Sequence, residues 1–259
     1  MKKFFRTSVL SFNALLGWLD PKLYIIMKII DPALQMIFYS ILVRYTCKTS
    51  SITPYIIGNA FLLCTRNSVF VVGSLLRSER SQGTLMLIIA SPANKFMNFV
   101  ARSFLNIFDA AFTVLIGLLI GVTLFNVDLS GINYFQFSLS ILIAMLGGMS
   151  VGLVLSSIAL VAKEIHMFLN VAAMLIFILT GASFPIDRLP RAAVIASNFI
   201  PITRSIEACR LITSKASSVL VYSLLGKELL VSILYIVAGY MLFIYFERKA
   251  RVDASLEAY

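Results

Sequence analysis

Charge is what this sequence has least of. Only 13% of its 259 residues are Asp, Glu, Lys or Arg and 59% are hydrophobic, against roughly 25% and 45–50% in soluble domains. A soluble fold this apolar could not cover its surface with polar groups, whereas a chain solvated by lipid need not. Histidine is nearly absent: His166 stands alone, with no second His or Cys near it to complete a metal site. The three cysteines, Cys47, Cys64 and Cys209, lack paired C-x-x-C spacing, which excludes a zinc motif and leaves a Cys47–Cys209 disulfide or buried small hydrophobes as the readings. The net charge of +10 comes without a run of five like charges, so a nucleic-acid surface is not indicated. A phosphate loop, a G-x-S-x-G elbow, an H-E-x-x-H helix and an acidic pair for magnesium diphosphate are all missing. The chain carries no catalytic or cofactor site of its own, and any nucleotide that drives it must be bound by another chain.

Long apolar segments are what is present. About 20 apolar helical residues cross a bilayer, and stretches of that kind run from about residues 27–44, 55–76, 102–125, 134–161, 167–184 and 227–247. The expected fold class is therefore all-α, a polytopic membrane protein with six spans in a single domain over 1–259. Residues 1–20 carry Phe5, Val9, Phe12, Leu16 and Leu19 at helical spacing with Lys2, Lys3, Arg6 and Asn13 off that face, the pattern of a retained interfacial helix. An even span number puts both termini on one side. The basic residues favour the cytoplasm for that side, with Arg77, Arg80, Lys95, Arg102, Arg248 and Lys249 on it. The connection 185–226 interleaves apolar and basic residues between Pro185, Pro190 and Pro201, which predicts short outer interfacial or re-entrant helices rather than a hydrophilic loop.

Two polar features stand out. Arg66, in Cys64-Thr-Arg-Asn67, falls near the middle of the second span, where an arginine costs about 2.5–3.5 kcal/mol on insertion scales. At 1.5 Å per residue it lies about 15 Å above Leu76, while Asp109 lies about 10 Å above Arg102. An Arg66–Asp109 pair is expected, as a structural ion pair or as a direct substrate contact. The loop 77–92 is the second feature. Gly83 permits a turn, Thr84 can cap a short helix by accepting from its free N–H groups, and Ser91-Pro92 can end it and start the next. Leu85, Leu87, Ile88 and Ile89 are too few to span a membrane, so this short helix must pack on the chain, on lipid or on a partner. Gly117-x-x-x-Gly121 and Gly148-x-x-x-Gly152-x-x-x-Ser156 put small residues on one helix face, favouring close packing within the subunit over a dimer seam.

These residues carry a family resemblance. Six spans, an N-terminal interfacial helix, Glu79-Arg-Ser-Gln-Gly-Thr-Leu-Met-Leu-Ile-Ile-Ala-Ser-Pro92 after span two, and Gly181-Ala-Ser-Phe-Pro185 with Pro201-Ile-Thr-Arg-Ser-Ile-Glu-Ala-Cys-Arg210 after span five resemble the membrane subunit of an ABC type-2 exporter. Met86 departs from it, since the family often has an acidic residue there. The resemblance implies a permease subunit, not itself an enzyme, that pairs with a second permease and two ATP-binding-cassette subunits, with ATP and Mg held by those partners. Thr84 to Ser91 would be the coupling helix, Glu79 and Arg80 would brace it against the N-terminal helix, and Lys163-Glu-Ile-His166 would be a second contact. Glu207 and Arg210 would belong to the outer helices. Spans two and five would line the path, offering Asn59, Phe61, Phe70, Asn170, Met174, Phe177 and Thr180, an apolar wall suited to a drug, an antibiotic-like natural product or a modified peptide. Export of a lipid-linked glycan or glycolipid by the same machine is the alternative, and an ATP-independent channel or carrier stands further off. The expected location is a bacterial-type inner or plasma membrane.

Overall fold

The computed structural model describes residues 21–47, 53–90, 94–127, 131–162, 164–182 and 190–252, without the side chains of 21, 24, 27, 46, 47, 64–67, 251 and 252. The expected N-terminal helix, Ser91, Pro92, Lys163, Pro185 and the Arg66 and Asn67 side chains lie outside that set. The described residues form ten helices: α1 Pro21–Cys47, α2 Thr53–Gly73, α3 Leu75–Ser81, α4 Leu85–Ala90, α5 Lys95–Phe125, α6 Tyr134–Ile158, α7 Ile165–Leu179, α8 Arg191–Ser197, α9 Thr203–Thr213 and α10 Ser218–Val252.

Four of these are long and apolar enough to cross a membrane: the nearly continuous α2–α3, then α5, α6 and α10. Two expected spans stand apart. The sequence suggests a fifth span over 167–184, but α7 ends at Leu179, where Thr180 caps it and Gly181 turns at φ 69°. Its 15 residues reach about 22 Å, against a hydrocarbon core of about 30 Å. The helix of the expected first span, α1, carries Lys22, Lys28, Asp31 and Arg44, so it is long but not uniformly apolar. Local signals set other ends. Asn133 starts α6 by accepting from the N–H groups of Phe135 and Gln136, and Asn126 stops α5 in the left-handed region at φ 51°. The expected start of α5 at Ser91-Pro92 is corrected: Asn94 is its cap, accepting from Met97 N at 3.1 Å.

The bundle is built around α2, which packs on α5 and α6, while α6 makes its largest contact with α10. Small residues make this possible. A Cβ on Gly152 would stand 2.7 Å from Val72 Cβ, one on Gly148 3.1 Å from Ser68 Oγ, and one on Gly121 2.6 Å from Ile56 Cγ2. Both small-residue motifs therefore face α2 of the same chain, the intrasubunit packing that the sequence favours. Lipid is as apolar as leucine, so such close approach, with its dispersion contacts, is what holds helices together in a membrane.

Candidate functional site

At one end of the bundle α4 sits on a charged brace. The turn before it needs Gly83, at φ 70°, and Thr84 N then donates to Glu79 O at 3.0 Å. Arg102 on α5 donates to the Glu79 carboxylate, and the Thr84 hydroxyl donates to the same carboxylate. This corrects the expected cap. Glu79, held by Arg102, accepts a hydrogen bond from the Thr84 hydroxyl, which turns that hydroxyl back to Glu79, and helix α4 opens on the Thr84 carbonyl, which accepts from Ile88 N at 3.1 Å. Arg80 donates to the carbonyl of Leu160 beyond α6. The described partners of Glu79 and Arg80 thus lie at the start of α4, on α5 and past α6; the N-terminal helix expected to receive them is outside the described residues.

The brace fixes which face of α4 is shown. Leu85 and Ile89 are buried, and with Ile88 they close on Leu75, Leu76, Phe99 and Phe243. Leu87 is 72% exposed and Met86 40%. Of the apolar residues that the sequence singles out, Leu85 is therefore core and Leu87 is presented. The neighbouring turn offers an exposed His166 and an exposed pair of Arg77 with Glu164 at 3.7 Å. Lys95 and Glu247, 2.7 Å apart, tie the start of α5 to the end of α10 beside the rings of Phe96, Phe99 and Phe243.

Within the bundle a cavity of ≈ 390 Å³ lies between α1, α2 and α7, lined by Gln35, Tyr39, Asn59, Leu62, Met174 and Phe177 among others. The rings of Tyr39 and Phe177 approach with centroids 5.6 Å apart. It gathers three of the expected path residues, Asn59, Met174 and Phe177. The others go elsewhere: Phe61 is fully buried in the core, Phe70 packs beside it, Asn170 is exposed on α7, and Thr180 belongs to a second cavity. Phe61 is thus corrected from wall to core, because α2 is the central helix and most of its faces meet protein.

Asp109 has a partner that the sequence did not suggest. Lys28 on α1 donates to its Oδ2 at 2.5 Å, both side chains largely buried. No spacing rule links positions 81 residues apart. Arg66, the expected partner, lies outside the described side chains.

At the opposite end, α9 is enclosed. Ile206, Ala208, Cys209 and Ile212 are buried, and the helix packs on α10 and α6. Its start is held by Glu228 of α10, fully buried, which accepts from the backbone N–H groups of Ile202 and Arg204, the latter at 3.2 Å. Ile202 sits at φ 85°, a region costly for a β-branched residue. Arg210 donates to Pro54 O at 3.0 Å and to Gly181 O and Ala182 O at 2.9 Å each, joining α9 to the start of α2 and the end of α7. Pro201 is buried ahead of α9, Pro190 precedes α8 on the surface, and Glu207 is exposed. Cys209 is free, and burial pushes its thiol up to about 12 against a hydrogen bond with Ser140 that acts the other way.

An all-helical chain with several apolar helices of spanning length, a helical end-piece on a charged brace and a largely apolar cavity between helices is an integral membrane protein of the polytopic transport class. The chain belongs to the ABC-2 type transporter family, which it matches over residues 7–213, and is a transmembrane permease component of an ABC transporter. No curated protein matches its sequence.

Proposed function

We propose that the chain is the permease subunit of an ATP-driven exporter, and the observation that carries this reading is α4. A six-residue apolar helix with Leu87 and Met86 turned outward, clamped by Glu79 and Arg102, has the form of a docking element. ATP and Mg are bound by two ABC ATPase subunits that seat on this helix, and a second permease, the same chain or another, completes the path. The brace gives the coupling its stiffness, since a push on α4 reaches α5 through side chains already in contact. The site is a bacterial-type inner or plasma membrane with six crossings and both termini in the cytoplasm. Support for that orientation comes from Arg77, Arg80, Lys95, Arg102, Arg248 and Lys249, which cluster towards the α4 end.

The cargo is a hydrophobic or amphipathic compound. The ≈ 390 Å³ cavity falls in the range of small-molecule sites, and its described lining is uncharged, with Gln35, Tyr39 and Asn59 as polar groups among aliphatic and aromatic neighbours. The glycan reading would want aromatic platforms at the far mouth. The cavity there has polar and basic side chains and no aromatic ring among its described lining residues.

The test is to purify the tagged protein from its native membrane in mild detergent and identify by mass spectrometry what stays with it. A stoichiometric chain bearing a Walker phosphate loop, lost on Leu87→Glu while the permease still folds, is the expected result. Leu85 is the wrong place for that change because it is core. A folded oligomer without any ATPase, under conditions that keep other membrane complexes intact, would overturn the proposal in favour of a channel or carrier.

A further inference from the structure

We infer that the cavity between α7, α8, α9 and α10 is a binding site for a phosphate ester or free phosphate, separate from the cargo cavity. It has a volume of ≈ 380 Å³, and its lining includes Thr180, Asn198, Thr203, Arg204, Arg210 and Lys227, with Glu207 as its described acid. Its basic residues thus outnumber its acidic one. Arg210 reaches carbonyls at the start of α2, so this cavity lies at the end of the bundle away from α4.

One group there is placed for an acceptor that the described protein does not supply. Thr203, only 4% exposed, has a hydroxyl with no hydrogen-bond partner among the described residues. Arg204 beside it is already engaged, paired with Glu228 at 3.9 Å and donating through Nη2 to the Asn198 carbonyl at 2.5 Å, so it contributes charge rather than a free donor. A buried hydroxyl left unpaired is costly. Glu228 accepts from the Ile202 and Arg204 backbone N–H groups and not from this hydroxyl. An anion with several acceptor oxygens entering beside Thr203 would satisfy that hydroxyl within reach of the Arg204 and Arg210 charges, with exposed Lys227 closing the outer side. Phosphate has that chemistry, accepting through several oxygens from hydroxyl and basic donors at once. Exposed Ile195 and Phe199 next to the cavity would lie along acyl chains if the phosphate belongs to a lipid.

The experiment measures thermal unfolding of the full chain in bilayer discs of phosphatidylcholine, with phosphatidylglycerol added in one arm and inorganic phosphate in another. The variants are Thr203→Val and Lys227→Gln. Thr203→Val keeps the shape and removes the unpaired hydroxyl, so without an anion it should fold at least as well as the natural chain. Stabilisation by phosphatidylglycerol alone identifies a lipid headgroup, and stabilisation by inorganic phosphate in neutral discs identifies the free ion. In either case each replacement should weaken the apparent affinity about tenfold, the size of a lost charge-assisted hydrogen bond. No stabilisation in either arm, or stabilisation that both variants keep, overturns the site: attraction of a basic chain to an anionic surface needs neither side chain.

Discussion

Two of the long helices invert the usual link between apolarity and burial. The α2–α3 helix has a mean hydropathy of 1.4 over its most apolar window, and 86% of that window is buried; α10 reaches 2.3 with only 17% buried. In water the more apolar helix would be inside. Here the solvent is hydrocarbon, so the helix facing lipid can be uniformly apolar, while the helix facing protein can carry Asn59 and Ser68 and bring small residues such as Gly58 against its neighbours. Hydropathy in this chain reports contact with lipid more than contact with the core.

That contrast can be broken most severely through Glu228, the fully buried acid of α10. Glu228→Ala leaves two backbone donors without an acceptor and Arg204 without its carboxylate, and loss of about 3–5 kcal/mol is expected, seen as failure to accumulate folded protein. Ile57→Ala in α2 removes fully buried volume and should cost about 2–3 kcal/mol in thermal unfolding. Gly58→Ala should cost about 2 kcal/mol by the opposite route, since its Cβ would stand 2.4 Å from the Ala182 carbonyl oxygen and neither backbone can yield cheaply. Leu230→Ala on the exposed face of α10 is expected to shift stability by less than about 0.5 kcal/mol in lipid. A large loss there would mean that protein covers this face in the assembled transporter. The smallest effect is on Cys209: maleimide should leave it unmodified in the folded protein and label it only after unfolding, because it is fully buried and its thiol stays protonated near neutral pH.

The parts legible in the sequence are those governed by local pattern. Tyr134 opens α6 as its apolar run predicts, Phe125 closes α5 where the run stops, and the loop after the second span presents a short helix at Leu85–Ala90. The ends of α5 and α10 extend past their apolar stretches, because polar flanks such as Lys95 and Glu247 continue the helix and pair with each other. Long-range partners were out of reach. Lys28 with Asp109, Arg102 with Glu79 and Glu228 with the start of α9 join residues whose separation follows from how helices stack, which no periodicity encodes. The path residues were judged by type and span alone, and packing then sent Phe61 to the core and Thr180 to the far cavity.

The position of Glu228 also sets an order of events during synthesis. Arg204 leaves the ribosome 24 residues before the carboxylate that receives its N–H, an interval of roughly one to five seconds at cellular elongation rates. Throughout it the start of α9 has no acceptor from its own chain, and the left-handed turn at Ile202 has nothing to hold it. The segment must wait in a wet or assisted environment at the insertion machinery until α10 arrives. A helix made later is thus the latch that allows an earlier one to settle.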